Sequence, residues 1–371
     1  MTPQLAAITL NLIPGLGPVK IKRLMEFFGS AELVLEAPAE TLVLIPQIGP
    51  DLAYNITNWR NITNADKELE LANLSHAKVT TLFDEDYPEA LRHMSDPPIV
   101  LYSWGNWIDR DQKNSVAVVG SRMATHYGRL CTKQFSYHLA EAGCTIISGL
   151  ARGIDTEAHH SAIEAQGRTI AIIGAGLNRL YPQENKDLAN LIADGHGAVI
   201  SEFPMNQPPS KTTFPMRNRI VSGWAQATLV VEAPNKSGAL ITARMAAEMG
   251  KPVYAIPGPI DRHSSDGCHE LIRDGATLVT RPFDIIEDMH WGCKTDDLPL
   301  FTPPSSSKIG KPTITDEDSQ ILKTIKQGFN TIDGLCTALG APAHLVTGKL
   351  AQLQIQGYVT PDAGGFFHCN S

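Results

Sequence analysis

No apolar run in this chain of 371 residues exceeds strand length, far short of the ~20 residues that a membrane-spanning helix needs. The opening stretch MTPQLAAITL has no basic residue ahead of an apolar segment, so no secretory signal is expected. The six cysteines, Cys131, Cys144, Cys268, Cys293, Cys336 and Cys369, form no CxxC pair. That argues against a zinc site and a disulfide framework, and scattered thiols fit a cytoplasmic location. Positive charge is also short, with 31 Lys and Arg against 39 Asp and Glu and a net charge of −8. Residues 1–110 carry 8 basic and 14 acidic side chains, and residues 111–288 carry 17 and 18. Such a balance excludes a basic nucleic-acid coat; a polyanion would have to bind a local site.

Nucleotide motifs are missing as well. The first strand of the central region is followed by GSRMATHYG, not GxGxxG, and the GxG at Gly174 and Gly176 has Arg179 where the third glycine belongs. No GxxxxGK[ST] occurs, so ATP hydrolysis is not expected. The acidic run Asp84, Glu85, Asp86 and Glu89 has no clustered partners and reads as a solvated loop rather than a metal-dependent nuclease. No cofactor and no metal are expected.

What is present is a regular alternation over residues 113–290. Strand-like apolar runs are SVAVVG (115–120), CTIISG (144–149), TIAIIG (169–174), AVISEF (198–203), TLVVEA (228–233) and PVYAIPG (252–258). Helical stretches at 127–142, 155–166, 185–194 and 238–250 lie between them. This predicts an α/β, Rossmann-like, doubly wound, mostly parallel sheet, with ligands bound beyond the carboxyl ends of its strands. Residues 1–75 read as a small helical domain. LIPGLGPVKIKRLMEFFG (12–29) has a glycine turn at Gly15 and Gly17, and LIPQIGPDLAYNI (44–56) is a weaker copy with Gln47 in place of the first glycine. The pair resembles helix-hairpin-helix units, in which a glycine turn brings backbone N–H groups to a phosphate. Residues 76–112 read as an extended connection, and the Pro/Ser-rich 291–315 as a linker. Helices near 317–327, 331–338 and 343–356 followed by a hairpin at 357–369 predict a C-terminal winged helix over 316–371. Its third helix carries one basic residue, Lys349, fewer than a DNA-reading helix usually has.

The chemistry gathers at the strand ends. Gly120 and Ser121 close the first strand ahead of a helix, where backbone N–H groups form an anion nest, and Arg122 adds a bidentate phosphate donor. SGLARGID (148–155) supplies Ser148, Gly149 and Gly153, with Asp155 placed as a helix N-cap. The segment SEFPMNQPPSKTTFPMRNRIVSG (201–223), read as a loop, interleaves Lys211, Arg217 and Arg219 with Phe214. A single strand needs that mixture, because its phosphates take charge and its bases take a stacking face. NKSGALITAR (235–244) adds Lys236, Ser237, Gly238 and Thr242 at a helix start.

Taken in order, VAVVGSR, SGLARGID with Ala158-His159, GLNRLYPQEN (176–185), SEFP, FPMRNRIVSG, SGALITAR, PGPI (257–260) and GCHELIRDGATLV (267–279) resemble the DNA-processing protein A (DprA/Smf) family. The resemblance covers about 170 residues of the central region, and the flanking modules match the family's longer members, which carry a sterile-alpha-motif-like or helix-hairpin-helix domain before it and a winged helix after it. It implies a homodimeric protein that binds and protects single-stranded DNA and helps load the RecA recombinase on it during natural transformation and DNA recombination. By motif, Arg122, Lys211, Phe214, Arg217, Asn218 and Arg219 would contact DNA. Residues 120–121, 148–149 and 237–238 would bind phosphate, and His269, Ile272 and Leu278 would form the dimer interface. No enzymatic activity is expected. Nucleotide phosphoribohydrolases of related fold follow a glycine-rich loop with a catalytic glutamate, whereas SGALITAR offers Ala243 and Arg244. The other alternative is a winged-helix transcription regulator, which specific duplex binding would reveal.

Overall fold

The structure, a computed structural model, describes residues 1–291, 316–327, 329–355, 358–361 and 367–369. It forms two compact units, Met1–Phe301 and Thr302–Ser371. Most of the expected linker, from residue 292 on, lies outside the described residues, as do Gln356 at the end of the third tail helix and the hairpin tip at 362–366.

The first unit opens with helices α1 (Pro3–Leu12), α2 (Pro18–Phe28), α3 (Ala31–Glu36), α4 (Ala39–Leu42), α5 (Pro50–Thr57), α6 (Trp59–Ile62) and α7 (Ala65–Leu74). Pro18 and Pro50 start α2 and α5, where a missing N–H costs nothing and the fixed φ suits a helix. The two turns before them share a backbone form. Gly15 has φ +79°, and Gln47 holds φ +71° in the copy that lacks glycine. These helices do not build a core of their own. Leu10, Leu24, Leu42 and Ile56 join Tyr102, Ile173, Leu180, Val199 and Met205 of the sheet region in one apolar cluster.

The expected connection, residues 76–112, proves to be part of the sheet. It contains β1 (Lys78–Thr81), α8 (Glu89–Arg92), β2 (Val100–Gly105) and α9 (Arg110–Lys113). β1 pairs antiparallel with β2, and β2 antiparallel with the sheet proper, giving it an antiparallel border. Then come β3 (Ser115–Val119), α10 (His126–Glu141), β4 (Thr145–Ser148), α11 (Ile154–Glu164), β5 (Thr169–Ile172), α12 (Lys186–Leu191), β6 (Gly197–Ser201), α13 (Thr213–Trp224), β7 (Ala227–Val230), α14 (Gly238–Glu248), β8 (Val253–Ala255), α15 (Asp266–Arg273), β9 (Thr277–Leu278) and α16 (Pro282–Asp288). β3 to β7 are short and buried along their whole length, as strands covered on both faces must be.

The nine-stranded order is β1-β2-β6-β5-β4-β3-β7-β8-β9. From β6 to β9 every pairing is parallel. Chain order runs outward from β3 in one direction and from β7 in the other, so the switch point lies between them. There Val116–Val119 register against Ala227–Val230. In a doubly wound sheet this is where ligands bind.

The second unit has α17 (Asp316–Lys326), α18 (Ile332–Leu339) and α19 (Ala343–Ile355), then β10 (Val359–Pro361) paired antiparallel with β11 (Phe367–Cys369). Ile321, Ile325, Leu335, Val346, Leu350, Leu353 and Val359 form its core. Lys349 stands 3.4 Å from the buried carboxylate of Asp318.

Candidate nucleic-acid interface

An open groove of about 640 Å³ lies over the switch point. Its lining gathers residues from four strand ends: Gly120, Ser121 and Arg122 after β3; Gly149 after β4; Lys211, Phe214, Arg217 and Asn218 around the start of α13; and Lys236, Ser237, Gly238 and Thr242 around the start of α14. Eighteen residues apart in sequence at the closest and more than a hundred at the farthest, they meet because each follows or leads a neighbouring element of the sheet.

The loops are locked to one another from below. Ser121 N–H donates to Glu232 O (2.7 Å), and Glu232 Oε2 accepts from Thr125 N–H (2.9 Å) at the N-cap of α10. Glu232 is thus a buried brace for the first loop. Gly153 has φ +77° and ψ −120°, and a Cβ there would stand 2.7 Å from Arg122 O, so only glycine lets the second loop close on the first. Leu150, fully buried, holds a left-handed φ of +55° in the same loop, a strained backbone of the kind that clusters at binding sites.

Arg217 is the keystone. It is 4% exposed, and its Nη1 donates to the carbonyls of Gly149 and Ile172, at the ends of β4 and β5. A Cβ on Gly149 would lie 2.6 Å from its guanidinium carbon. Burial pulls Arg217 down to about 10, against the counter-charge of Asp155, so it stays cationic at neutral pH. Asp155 does not act as the expected N-cap of α11; Gly153 holds that place. The Asp155 carboxylate instead accepts from Gly149 N–H (3.1 Å) and Ala151 N–H (3.3 Å), and burial pushes it upward while Arg217 pulls it back.

Above this buried frame stand the exposed groups. Arg122, Lys211 and Lys236 are exposed and have no salt-bridge partner among the described residues. The Arg122 guanidinium lies 5.0 Å from the centroid of the half-buried Phe214 ring. Ser237 caps α14 by accepting from Ala239 N–H (3.2 Å), and Asn218 reaches across to donate to Gly238 O (3.3 Å). The arrangement offers three free cations, an open helix start and a flat ring within one groove.

Three expected contacts fall elsewhere. The segment 201–223 is not a loop throughout: α13 takes its second half, and Arg219 faces away from the groove. It is 6% exposed, ion-paired to Glu202, 3.4 Å from Asp96 Oδ2 and 2.7 Å from Asp96 O. The Ser148 hydroxyl is buried and donates to Val118 O (2.7 Å), tying β4 to β3 rather than facing a phosphate. Gly153 shapes the loops without lining the groove. Thr242 lines it but is 2% exposed, and its hydroxyl donates back to Gly238 O (3.3 Å).

One residue was missed. Tyr181, 41% exposed, has its ring centroid 5.9 Å from that of Phe214, beside a small annex lined by Arg122, Arg152 and Arg217. It stands in GLNRLYPQEN (176–185), a motif whose pattern gives no sign that its tyrosine reaches the groove. The three residues expected at a dimer face lie together at the far end of the sheet. Leu278 is 49% exposed on the edge strand β9, and Ile272 is half-buried. The half-buried His269 has Nε2 3.0 Å from Gly258 O. Among the described residues no cluster of three or more His, Cys, Asp or Glu could hold a metal ion, and no helix is long and apolar enough to cross a membrane.

The sequence profile of the family described as DNA recombination-mediator protein A matches residues 78–290, which takes in every strand of the nine-stranded sheet. The chain belongs to that family, the DNA-processing protein A (DprA/Smf) family. Protein Smf of Synechocystis sp. is 32% identical over 95% of this chain and 95% of its own length. The crystal structure of DprA from Streptococcus pneumoniae matches with a TM-score of 0.67 at 33% identity, covering 78% of this chain and 98% of that one. DprA from Helicobacter pylori, solved to describe its mode of binding single-stranded DNA, matches with a TM-score of 0.52 at 31% identity, over 58% of this chain and 97% of that one. The family match begins at residue 78, so the segment first read as a connection belongs to the family domain.

Proposed function

We propose that the switch-point groove of this DprA-family chain binds single-stranded DNA without sequence preference. The observation that carries the reading is the set of three unpaired cations, Arg122, Lys211 and Lys236, around the accessible ring of Phe214. Phosphates take the cations and the N–H groups at the starts of the loops and of α14; a base takes the face of Phe214 once Arg122 moves aside. Arg217 and Asp155 keep the loops in register and do not themselves meet the strand.

In this reading the protein handles incoming single strands during natural transformation and recombination, shields them and helps load RecA. It works as a homodimer through His269, Ile272 and Leu278, and without enzymatic activity. The carboxylate of the buried Glu232 accepts from Thr125 N–H, and Arg244 pairs with Glu270 at 3.7 Å, so neither position supplies the free carboxylate that a phosphoribohydrolase uses. The glycine turns of the first helices are read as a helix-hairpin-helix-like module, and the three helices and hairpin of the second unit as a winged helix. The test is a gel shift with single- and double-stranded oligonucleotides of equal length and mixed sequence. Single-strand preference that falls steeply with salt is the expected result; equal or tighter duplex binding overturns it.

A further inference from the structure

The groove has a wall that the family motifs do not assign. His263 and Ser264 line it together with Lys236 and Ser237. They sit on a short 3₁₀ turn, His263–Ser265, that leads directly into α15. This turn is anchored on its inner side. Ser265 is buried and donates its N–H to Arg262 O (2.9 Å), while Arg262 N–H donates to Pro259 O (3.2 Å). Upstream, Tyr127 Oη donates to Pro257 O (2.6 Å), and His269 Nε2 lies 3.0 Å from Gly258 O. The backbone is held, yet the His263 ring is fully exposed.

Its one partner among the described residues is Asp266, whose Oδ2 lies 3.1 Å from Nδ1. A carboxylate only accepts, so Nδ1 carries the proton. In a neutral ring Nε2 is then a lone-pair acceptor, which repels a phosphate oxygen. In a protonated ring Nε2 becomes a donor, and the imidazolium can bridge Asp266 and a phosphate at once. The other charges nearby are Asp261 and Arg262 on the same segment, 4.0 Å apart, and Lys236 on the adjoining loop of the groove.

We propose that His263 is a proton-gated phosphate contact: it extends the anion track of the groove toward α15 when the ring is protonated and leaves it when neutral. The inference rests on the groove being the single-strand site. Proton uptake by the ring would thus tighten grip on DNA as pH falls.

The test uses the full chain and a fluorescent oligo(dT), with anisotropy titrations over a salt series at pH 5.5 and pH 8. The parent protein is expected to bind about two- to fivefold more tightly at pH 5.5, the range of an exposed ion pair. Its log–log salt slope should steepen by ~0.7, one phosphate's worth for a single strand. His263→Gln should lose both differences while matching the parent at pH 8. His263→Lys should show the steep slope at both pH values. His126→Gln, on the exposed start of α10, should behave as the parent. A pH gain that persists in His263→Gln, or a parent whose slope is the same at both pH values, overturns the proposal while leaving the single-strand site standing. A parent that fails to bind oligo(dT) at either pH overturns that site and the proposal with it.

Discussion

Replacing Arg217 by methionine keeps most of the stem's volume and removes the guanidinium. The carbonyls of Gly149 and Ile172 then lose their donor, and a buried orphan polar group costs ~1–3 kcal/mol. Asp155 loses the stronger of two attracting cations but keeps the N–H donors of Gly149 and Ala151, so its added cost is smaller than that of breaking a buried ion pair. The two losses do not simply add. Burial already pushes the Asp155 carboxyl upward, so taking a proton is its way out and caps the penalty. The expected total is therefore ~2–4 kcal/mol, most of it from the two carbonyls. Urea denaturation followed by tryptophan fluorescence reads it, since Trp224 is fully buried on the same helix. Adding Asp155→Asn should recover part of the loss, with a coupling of ~0.5–3 kcal/mol for residues in one network.

The DNA side of the same experiment is the sharper one. Arg217 is 4% exposed and its charge is matched by Asp155, so it neutralises no phosphate and releases no counterion. Under conditions where the variant stays folded, the salt slope of single-strand binding should equal the parent's. A variant as stable as the parent, with its slope reduced by ~0.7, would mean that the guanidinium reaches a phosphate and that the division into buried frame and exposed contacts is wrong.

The other expectations follow from the same division. Arg122→Ala should leave stability within ~0.5 kcal/mol, as for an exposed substitution, and should flatten the salt slope by ~0.7. Phe214→Ala should cost ~1–3 kcal/mol of affinity with little change of slope; identical effects of the two substitutions would refute the assigned roles. Ile272→Arg with Leu278→Arg should leave a folded monomer in sedimentation, because Leu278 lies open on β9, and a folded variant that stays dimeric would exclude this face. His159 is fully buried, its Nδ1 2.6 Å from Thr169 Oγ1, and burial pulls it down to about 3. The folded state thus binds the proton less readily than the unfolded chain. Its contribution is complete above ~6.5 and is lost as pH falls from there toward 3, at ~1.4 kcal/mol per pH unit. Urea midpoints between pH 7 and 4.5 should show a shallower acid slope in His159→Gln than in the parent.

The parallel strands were legible because buried β-branched runs such as TIAI and ATLV leave little else to be, and their ends fall within two or three residues of the expected ones. The strands at 78–81 and 100–105 were not. They are bordered by prolines and acidic residues, and pairing decides such short pieces more than propensity does. Helix α13 was hidden by Pro215, which in a helix interior would break it but is tolerated in the first turn. Once residues 213–224 are helical, Arg217 and Arg219 lie about 200° apart around the axis and cannot share the groove. That is why one of the two cations joined the buried frame under the loops and the other joined Glu202 and Asp96. Tyr181 stayed hidden for a different reason: its nearness to Phe214 comes from the ends of β5 and β6 being side by side, which no local pattern encodes.

The first helices bear on the groove more directly than their acidic balance implies. Asn11 Nδ2 donates to Glu202 O (3.1 Å), and Glu68 Oε1 accepts from Met205 N–H (2.6 Å), a buried contact. Both grip the segment that runs from β6 toward Lys211 and Phe214, so the helical part helps set where that segment enters the groove. Its two turns are not equivalent, although their backbones match. Gln47 keeps the left-handed form at a cost of ~1 kcal/mol, so loss of the glycine is not loss of the turn. What differs is charge. Lys20, Lys22 and Arg23 follow the first turn on α2, whereas Asp51 stands in the first turn of α5, where it already occupies the positive end of that helix. A phosphate arriving at the second turn meets a carboxylate in the place it would take; at the first it meets lysines.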